Sequence, residues 1–110
     1  MKKLTVILSL MVGSLAFGQE DVPYDMFGVW LNGDGEALQI ARDQDKVGFV
    51  RRNSTKILAV GTIEVVDGEL HVIRADKKDQ YSLAYFIGKE TMVITKPRDK
   101  KRAWLWTRIQ

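Results

Sequence analysis

The sequence predicts an all-β domain in which roughly eight short antiparallel strands close into a small up-and-down barrel. Two observations indicate strands. Apolar and β-branched residues cluster in short runs separated by polar turn residues, and side chains within several runs alternate with a period of two. A third consideration favours a barrel, because closing a sheet of short hairpins removes its two exposed edges. A β-sandwich or a half-open β-roll is the alternative.

The first half of the barrel follows from the apolar runs and the breaks between them. Strands are predicted near residues 27–31, 36–42, 46–52 and 56–66. The breaks consist largely of Asn, Asp, Gly and Ser, which favour turns. Gly61 lies inside the longest run and predicts a bend or bulge there, as at a barrel corner. Ahead of the first strand, a single helical turn is predicted around Val22–Met26.

The second half shows the clearest alternation. Strands are predicted near residues 69–75, 80–87, 90–96 and 102–109. Asp67-Gly68, which precedes the first of these, is the strongest hairpin signal, because a tight hairpin needs positive φ at both central positions. In the run 80–87, Tyr81 and Tyr85 share one face with Leu83, as a strand requires.

An export signal precedes the domain. Residues 1–18 contain Lys2 and Lys3, an apolar run up to Phe17, and small residues before a predicted cleavage ahead of Gln19. The run is shorter than the roughly 20 residues that a membrane span needs. A retained N-terminal anchor is the alternative. We therefore expect residues 19–110 to form one β-barrel domain that a bacterium secretes or keeps in its periplasm.

Composition excludes some classes of partner for this domain. The chain has 110 residues and no cysteine, so a packed core must stabilise it without disulfides. The formal net charge of +3 includes Lys2 and Lys3, and removing the signal leaves a nearly neutral domain. Domains that bind nucleic acid are usually strongly basic. We therefore predict no nucleic-acid partner and no membrane span, and the oligomeric state stays open.

Charge is distributed unevenly along the chain. Acidic residues dominate residues 19–45, and basic residues dominate residues 46–110. The densest positive run comprises Lys96, Arg98, Lys100, Lys101 and Arg102. We interpret this run as a candidate patch for an anionic surface such as lipid headgroups or a polyanion. A solvated hairpin tip is the alternative.

The two ends of the domain carry a recognisable pair of residues. Gly28-Val29-Trp30 opens the first strand, and Arg108 lies in the last strand. This pair resembles the structural signature of the calycin superfamily, which comprises lipocalins, fatty-acid-binding proteins and avidins. The resemblance implies that Trp30 packs across the barrel bottom with Arg108 over its ring. Such a cation–π contact adds about 0.5–2 kcal/mol.

The spacing of the terminal motifs is similar to that of avidins in particular. The opening motif is Gly28-x-Trp30-x-Asn32-x-x-Gly35, and the closing motif is Thr107-Arg108-Ile109. The resemblance implies that Asn32 contacts a ligand. Glu36 stands where avidins have a ligand-binding serine, and this departure argues against biotin.

Aromatic residues at alternating strand positions supply further candidate ligand contacts. With Asn32, the candidate ligand-binding residues are Tyr81, Tyr85, Trp104 and Trp106. Trp104 and Trp106 share a face with Arg102 and Arg108, an arrangement that suits an acidic or planar ligand. Alternatively, the apolar stems of the arginines cover the indoles in a cross-strand ladder.

Recognisable catalytic residue sets are missing from the sequence. His71 is the only histidine and no cysteine is present, so the sequence predicts neither a nucleophilic triad nor a zinc site. Asp34, Glu36, Asp43 and Asp45 lack EF-hand spacing and are interpreted as turn residues. We predict a protein that is not an enzyme and holds no metal and no cofactor. A hydrolase that uses surface carboxylates is a minor alternative.

The sequence therefore predicts an exported, lipocalin-like β-barrel that works by binding. Its partner is a small apolar or amphipathic molecule at the barrel mouth, or an envelope protein on the outer surface. The alternative is a non-enzymatic structural, inhibitor or interaction module with a solid core. The volume and lining of the interior distinguish these functions.

Overall fold

Eight antiparallel strands pair in chain order and close into a barrel. The computed structural model describes residues 21–97 and 99–109, without the side chains of residues 99–101. The predicted signal peptide and Arg98 lie outside the described residues. The strands are β1 (Gly28–Asn32), β2 (Ala37–Asp43), β3 (Lys46–Arg52), β4 (Ile57–Val66), β5 (Glu69–Arg74), β6 (Tyr81–Phe86), β7 (Thr91–Lys96) and β8 (Asp99–Arg108). The predicted up-and-down barrel is confirmed, because β8 pairs back onto β1.

Most strand boundaries lie within one residue of the predicted positions. β8 is the exception, since it begins at Asp99 rather than near residue 102, and its register with β7 shifts between Thr95 and Lys96. The predicted helical turn is a short 3₁₀ helix over Tyr24–Met26. No helix within residues 21–97 and 99–109 is long and apolar enough to cross a membrane.

The predicted β4–β5 hairpin is confirmed in its backbone conformation. Asp67 has φ 53° and Gly68 has φ 80°, so both central residues are left-handed. This geometry matches the right-handed twist of the flanking strands.

Gly61 does not mark the predicted bulge. β4 runs through Gly61 without interruption, and the shift in its register with β3 lies between Arg51 and Arg52. Close packing requires the glycine instead. A Cβ at this position would collide with the carbonyl oxygen of Ile73 and stand 2.7 Å from the Phe49 ring.

Alternate side chains of every strand point into the barrel and form its core. The register places Leu38 of β2 and Arg108 of β8 on either side of Trp30. The largest fully buried side chains are Trp30, Met26, Ile40 and Met92. The interior is therefore packed with side chains over most of its length, as expected for an eight-stranded barrel.

The two ends of the barrel differ. At one end, which we call the closed end, the segment before β1 crosses the barrel and buries Val22 and Met26 against the core. The β2–β3, β4–β5 and β6–β7 turns also lie there. The opposite end carries the other four hairpins, and we call it the open end.

Candidate ligand-binding cup

Trp30 and Arg108 seal the closed end through three contacts. Trp30 Nε1 donates a hydrogen bond to the carbonyl oxygen of Met26 at 3.0 Å. The Arg108 guanidinium carbon lies 4.5 Å from the centre of the indole, and Arg108 Nη1 donates to the carbonyl oxygen of Phe27 at 2.7 Å. Gly28 has φ 131°, a conformation that non-glycine residues rarely adopt. The position of Arg108 over the Trp30 ring is the one that the calycin resemblance implies for these two residues.

A cavity of about 70 Å³ enters the barrel from the open end. We call this cavity and its lining the open-end cup. Apolar residues form the deeper part, two indoles form one wall, and polar residues from strand ends form the rim. In that order, the lining residues are Leu38, Phe49, Ala59, Val72 and Ile94; Trp104 and Trp106; and Arg51, Arg74, Ser82 and Lys96.

The cationic rim follows from the strand topology. β3, β5 and β7 all run toward the open end, and each of them finishes there with an inward-facing basic residue. Arg51, Arg74 and Lys96 therefore converge on the cup although they are far apart in sequence.

The basic residues of the rim differ in how far their charge is neutralised. Arg74 donates two hydrogen bonds to Asp76, at 3.0 Å and 2.9 Å. Arg51 Nε lies 3.8 Å from Glu36 Oε1, which is beyond hydrogen-bond distance. Lys96 makes no ion pair with any carboxylate that the structure describes. Burial, followed by the positive charges of four neighbouring residues, lowers the pKa of Lys96 below its usual range.

Two buried donors in the cup lack partners. Trp106 is 2% exposed, and its indole Nε1 has no hydrogen-bond acceptor among the described residues. The Nε atom of Arg51 is also buried and has no hydrogen-bond acceptor among the described residues. An unsatisfied buried donor costs roughly 1–3 kcal/mol, so the cup contains donor capacity that the fold itself does not use.

The barrel is electrically polar from end to end. Among side chains that the structure describes, basic residues outnumber acidic ones two to one at the open end, and the ratio is reversed at the closed end. The open-end residues are Arg51, Arg52, Lys56, Arg74, Lys77, Lys78, Lys96 and Arg102 against Asp34, Glu36, Asp76 and Asp79. The closed-end residues are Asp21, Asp25, Asp43, Asp45, Glu64, Asp67, Glu69 and Glu90 against Arg42, Lys46, Lys89 and Arg108.

Asn32 organises a turn rather than facing the cup. Its Oδ1 accepts hydrogen bonds from the backbone N–H groups of Asp34 and Glu36, at 3.0 Å and 2.9 Å. Its Nδ2 donates to Glu36 Oε1 at 3.0 Å. The side chain is therefore occupied within the β1–β2 turn, next to the rim.

The other predicted ligand residues separate into two groups. Trp104 and Trp106 line the cup. Tyr81 and Tyr85 are exposed on the outer face of β6, so they do not contribute to the cup. Tyr81 instead stacks on His71, with ring centres 4.0 Å apart and planes 5° apart.

Two residues of the predicted anionic-surface patch, Lys96 and Arg102, lie at the open end. Lys96 belongs to the rim, and the guanidinium of Arg102 lies 5.9 Å from the Trp104 ring centre. Arg102, which was predicted both as cover for an indole and as part of the positive patch, therefore lies at the open end. The side chains of Arg98, Lys100 and Lys101 lie outside the described residues.

The four carboxylates considered for catalysis or metal binding are split between the ends. Asp34 and Glu36 lie at the open end, whereas Asp43 and Asp45 lie at the closed end. No group of three potential metal ligands occurs in the part of the chain that the structure describes.

A larger depression of about 1070 Å³ lies along β4 and β5, from the closed-end turns to the β5–β6 turn at the open end. Its lining mixes both charges, including Asp45, Glu64 and Asp67 beside Lys46 and Lys78. It lacks the converging indoles and unpartnered donors of the cup, which is why we assign the site to the cup.

Arg51 and Arg74 are the functional candidates that the sequence did not reveal. A signal was present, because both residues occupy inward-facing positions where alternation predicts apolar side chains. A basic residue at such a position marks a polar opening in the core.

Comparison of the chain with protein-family models, curated proteins and solved structures finds no match.

Proposed function

We propose that this protein is an exported, lipocalin-like β-barrel that binds one small amphipathic molecule in the open-end cup and catalyses no reaction. The observation that carries the proposal is the contrast between the two barrel ends. Trp30 and Met26 seal one end, whereas the other end opens into a cavity with converging indoles and basic groups. An apolar lining with a few polar groups is the usual composition of a ligand pocket.

The size of the cup limits how the ligand sits. A cavity that holds benzene measures roughly 150 Å³, about twice the volume of the cup. The ligand therefore inserts only a short chain or one edge of a ring against the indole wall, and the rest of the molecule stays at the rim and mouth.

Filling the cup tests this function. Ala59 lines the cup, so Ala59→Leu should occupy the cavity and abolish binding while the barrel stays folded. Ala41 is exposed outside the cup, and Ala41→Leu is the matched control that should bind normally. Native mass spectrometry of both proteins, purified from the exported fraction, measures the retained ligand. A ligand retained equally by both variants would contradict the assignment to the cup.

Export is part of the same proposal and rests on the sequence of residues 1–18. Mass analysis of the exported protein should give a chain that begins at or near Gln19. An exported protein that retains Met1 would contradict the proposed compartment.

The outer surface favours an interaction module as a second candidate. Within residues 29–41, 81–95 and 103–107, every outward-facing strand position is uncharged. Leu105, Tyr85 and Leu31 are exposed on this face by 54%, 47% and 38%. Two copies of the chain would meet here without like-charge repulsion. Sedimentation should then show a dimer that Leu105→Lys dissociates, and a monomeric wild type would remove this candidate.

A further inference from the structure

We infer that the ligand of the open-end cup is a small organic anion. Its carboxylate or phosphate group lies at the rim between Arg51 and Lys96, and its apolar part lies against the indoles of Trp104 and Trp106. This inference rests on the proposed function, because it assigns the chemistry of the ligand to the same cup.

The first argument is the clustering of positive charge. Three strands deliver inward-facing basic residues to one small cavity, although placing like charges together in a half-buried site is unfavourable. The lowered pKa of Lys96 reports this cost, since burial and neighbouring cations disfavour its charged form. Arg74 and Arg51 already have carboxylates nearby, so an anion at the rim supplies the counter-charge that Lys96 lacks among the described residues.

The second argument is the identity of the unused groups. Trp106 Nε1 and Arg51 Nε are donors, and Lys96 adds further donors at the rim. A carboxylate or phosphate only accepts hydrogen bonds and offers several lone pairs. An anion at the rim therefore accepts from Arg51 and Lys96 together, whereas a neutral hydroxyl satisfies fewer donors and supplies no charge.

Glu36 does not supply the hydrogen-bond acceptor that the donors of the cup lack. Its Oε1 accepts a hydrogen bond from Asn32 in the β1–β2 turn and stays 3.8 Å from Arg51 Nε. Its backbone N–H is also held by Asn32. The nearest carboxylate is thus fixed in the turn and leaves the donors of the cup without an acceptor.

The end-to-end polarity of the barrel supports the same ligand. Basic residues dominate the open end and acidic residues dominate the closed end among the described side chains. Such a field raises the local concentration of anions at the mouth and repels cations.

Four small probes test the inference in calorimetric titrations of the mature protein. Benzoate and phenyl phosphate combine a ring with an anionic group, and their comparison distinguishes a carboxylate from a phosphate ligand. Benzyl alcohol keeps the ring without charge, and inorganic phosphate keeps the charge without the ring. We expect one or both of the aromatic anions to bind at least about tenfold more tightly than benzyl alcohol and inorganic phosphate.

Charge-neutralising variants identify the groups responsible. Lys96→Gln and Arg51→Gln should each weaken binding of the aromatic anion by about tenfold, and Trp106→Phe should weaken it several-fold. Lys96→Gln and Arg51→Gln should weaken the binding of benzyl alcohol far less than that of the aromatic anion, because the alcohol carries no charge. Lys89→Gln removes the same charge at the closed end and should have no effect.

The outcomes separate the inference from the proposed function. Equal affinities for benzoate and benzyl alcohol, both abolished by Ala59→Leu, would overturn the inference and leave a neutral-ligand function in place. Anion binding that Lys96→Gln and Arg51→Gln do not weaken would also overturn it. If no probe binds and native mass spectrometry finds no retained molecule, both the inference and the proposed function fail.

Discussion

Replacing Trp30 by alanine tests whether the closed end holds the barrel together. Trp30 is 0% exposed and packs near Phe86, with ring centres 6.3 Å apart. Its indole also anchors the segment before β1 through Met26 and supports Arg108 from the last strand. The substitution therefore loosens the core, the N-terminal cover and the closing strand at once.

The magnitude follows from these contacts. Truncating a buried tryptophan or phenylalanine to alanine costs about 3–5 kcal/mol. The lost hydrogen bond to Met26 adds about 0.5–1.5 kcal/mol, and the lost contact with Arg108 adds about 0.5–2 kcal/mol. These contributions overlap, so we expect a loss of at least about 4 kcal/mol. That is a large share of the roughly 5–15 kcal/mol that stabilises a typical domain.

Urea denaturation followed by far-ultraviolet circular dichroism measures this loss. Tryptophan fluorescence is unsuitable, because the substitution removes one of only three tryptophans. Leu31→Ala is the matched control, since Leu31 is the next residue in β1 and points outward. Trp30→Phe is a graded variant that keeps a ring but loses the Nε1 donor, and it should fall between the two.

The reasoning is refuted if Trp30→Ala lowers the free energy of unfolding by less than about 1 kcal/mol. It is also refuted if Leu31→Ala costs as much as Trp30→Ala, because burial would then not explain the loss.

Three further predictions concern other parts of the barrel. Arg108→Lys should lower the urea midpoint, because an ammonium group lacks the planar face that lets the guanidinium stack on Trp30 while it bonds to Phe27. An unchanged midpoint would argue against a role for the stacking. Gly61→Ala should destabilise the barrel in thermal unfolding, since the added Cβ collides with the Ile73 carbonyl oxygen, and an equal or higher Tm would contradict the packing argument. Binding to heparin or anionic liposomes should be detectable at low salt, fade at physiological salt, and weaken in a triple alanine variant of residues 100–102. Binding that is absent, or unchanged in the variant, would make this run a solvated tip.

Local signals account for most parts of the fold that the sequence predicted. Asp67-Gly68 prescribes its hairpin by backbone conformation alone. The contact between Trp30 and Arg108 was predicted from the resemblance of the terminal motifs to those of calycins, not from a local signal. Strand boundaries followed because turn residues lie directly between apolar runs.

The sequence could not show which of the two faces of β6 points into the barrel. Period-two alternation defines two faces of a strand but does not say which of them points inward. Leu83 and Ala84 are both buried, although they point to opposite sides. Burial alone therefore does not mark the inward face of β6. Tyr81 and Tyr85 share a face with the buried Leu83, so the sequence made them as plausible as Trp104 for a ligand site.

The cup could not be predicted because it depends on closure. Arg51, Arg74 and Lys96 meet only when three strands that are not neighbours in the sheet face each other across the barrel. No local pattern in the chain encodes that meeting.

The seam between β1 and β8 has a consequence for the order in which the protein folds. It consists of three residue pairs, and the Arg108–Phe27 contact beside it joins residues 81 apart in sequence. Bringing such distant segments together costs closure entropy before any contact forms, so topologies of this kind fold slowly. Until β8 arrives, the other strands form an open sheet with two unpaired edges. We therefore expect closure to be the last event in folding, and a chain that loses residues 104–110 to remain an aggregation-prone open sheet rather than a smaller barrel.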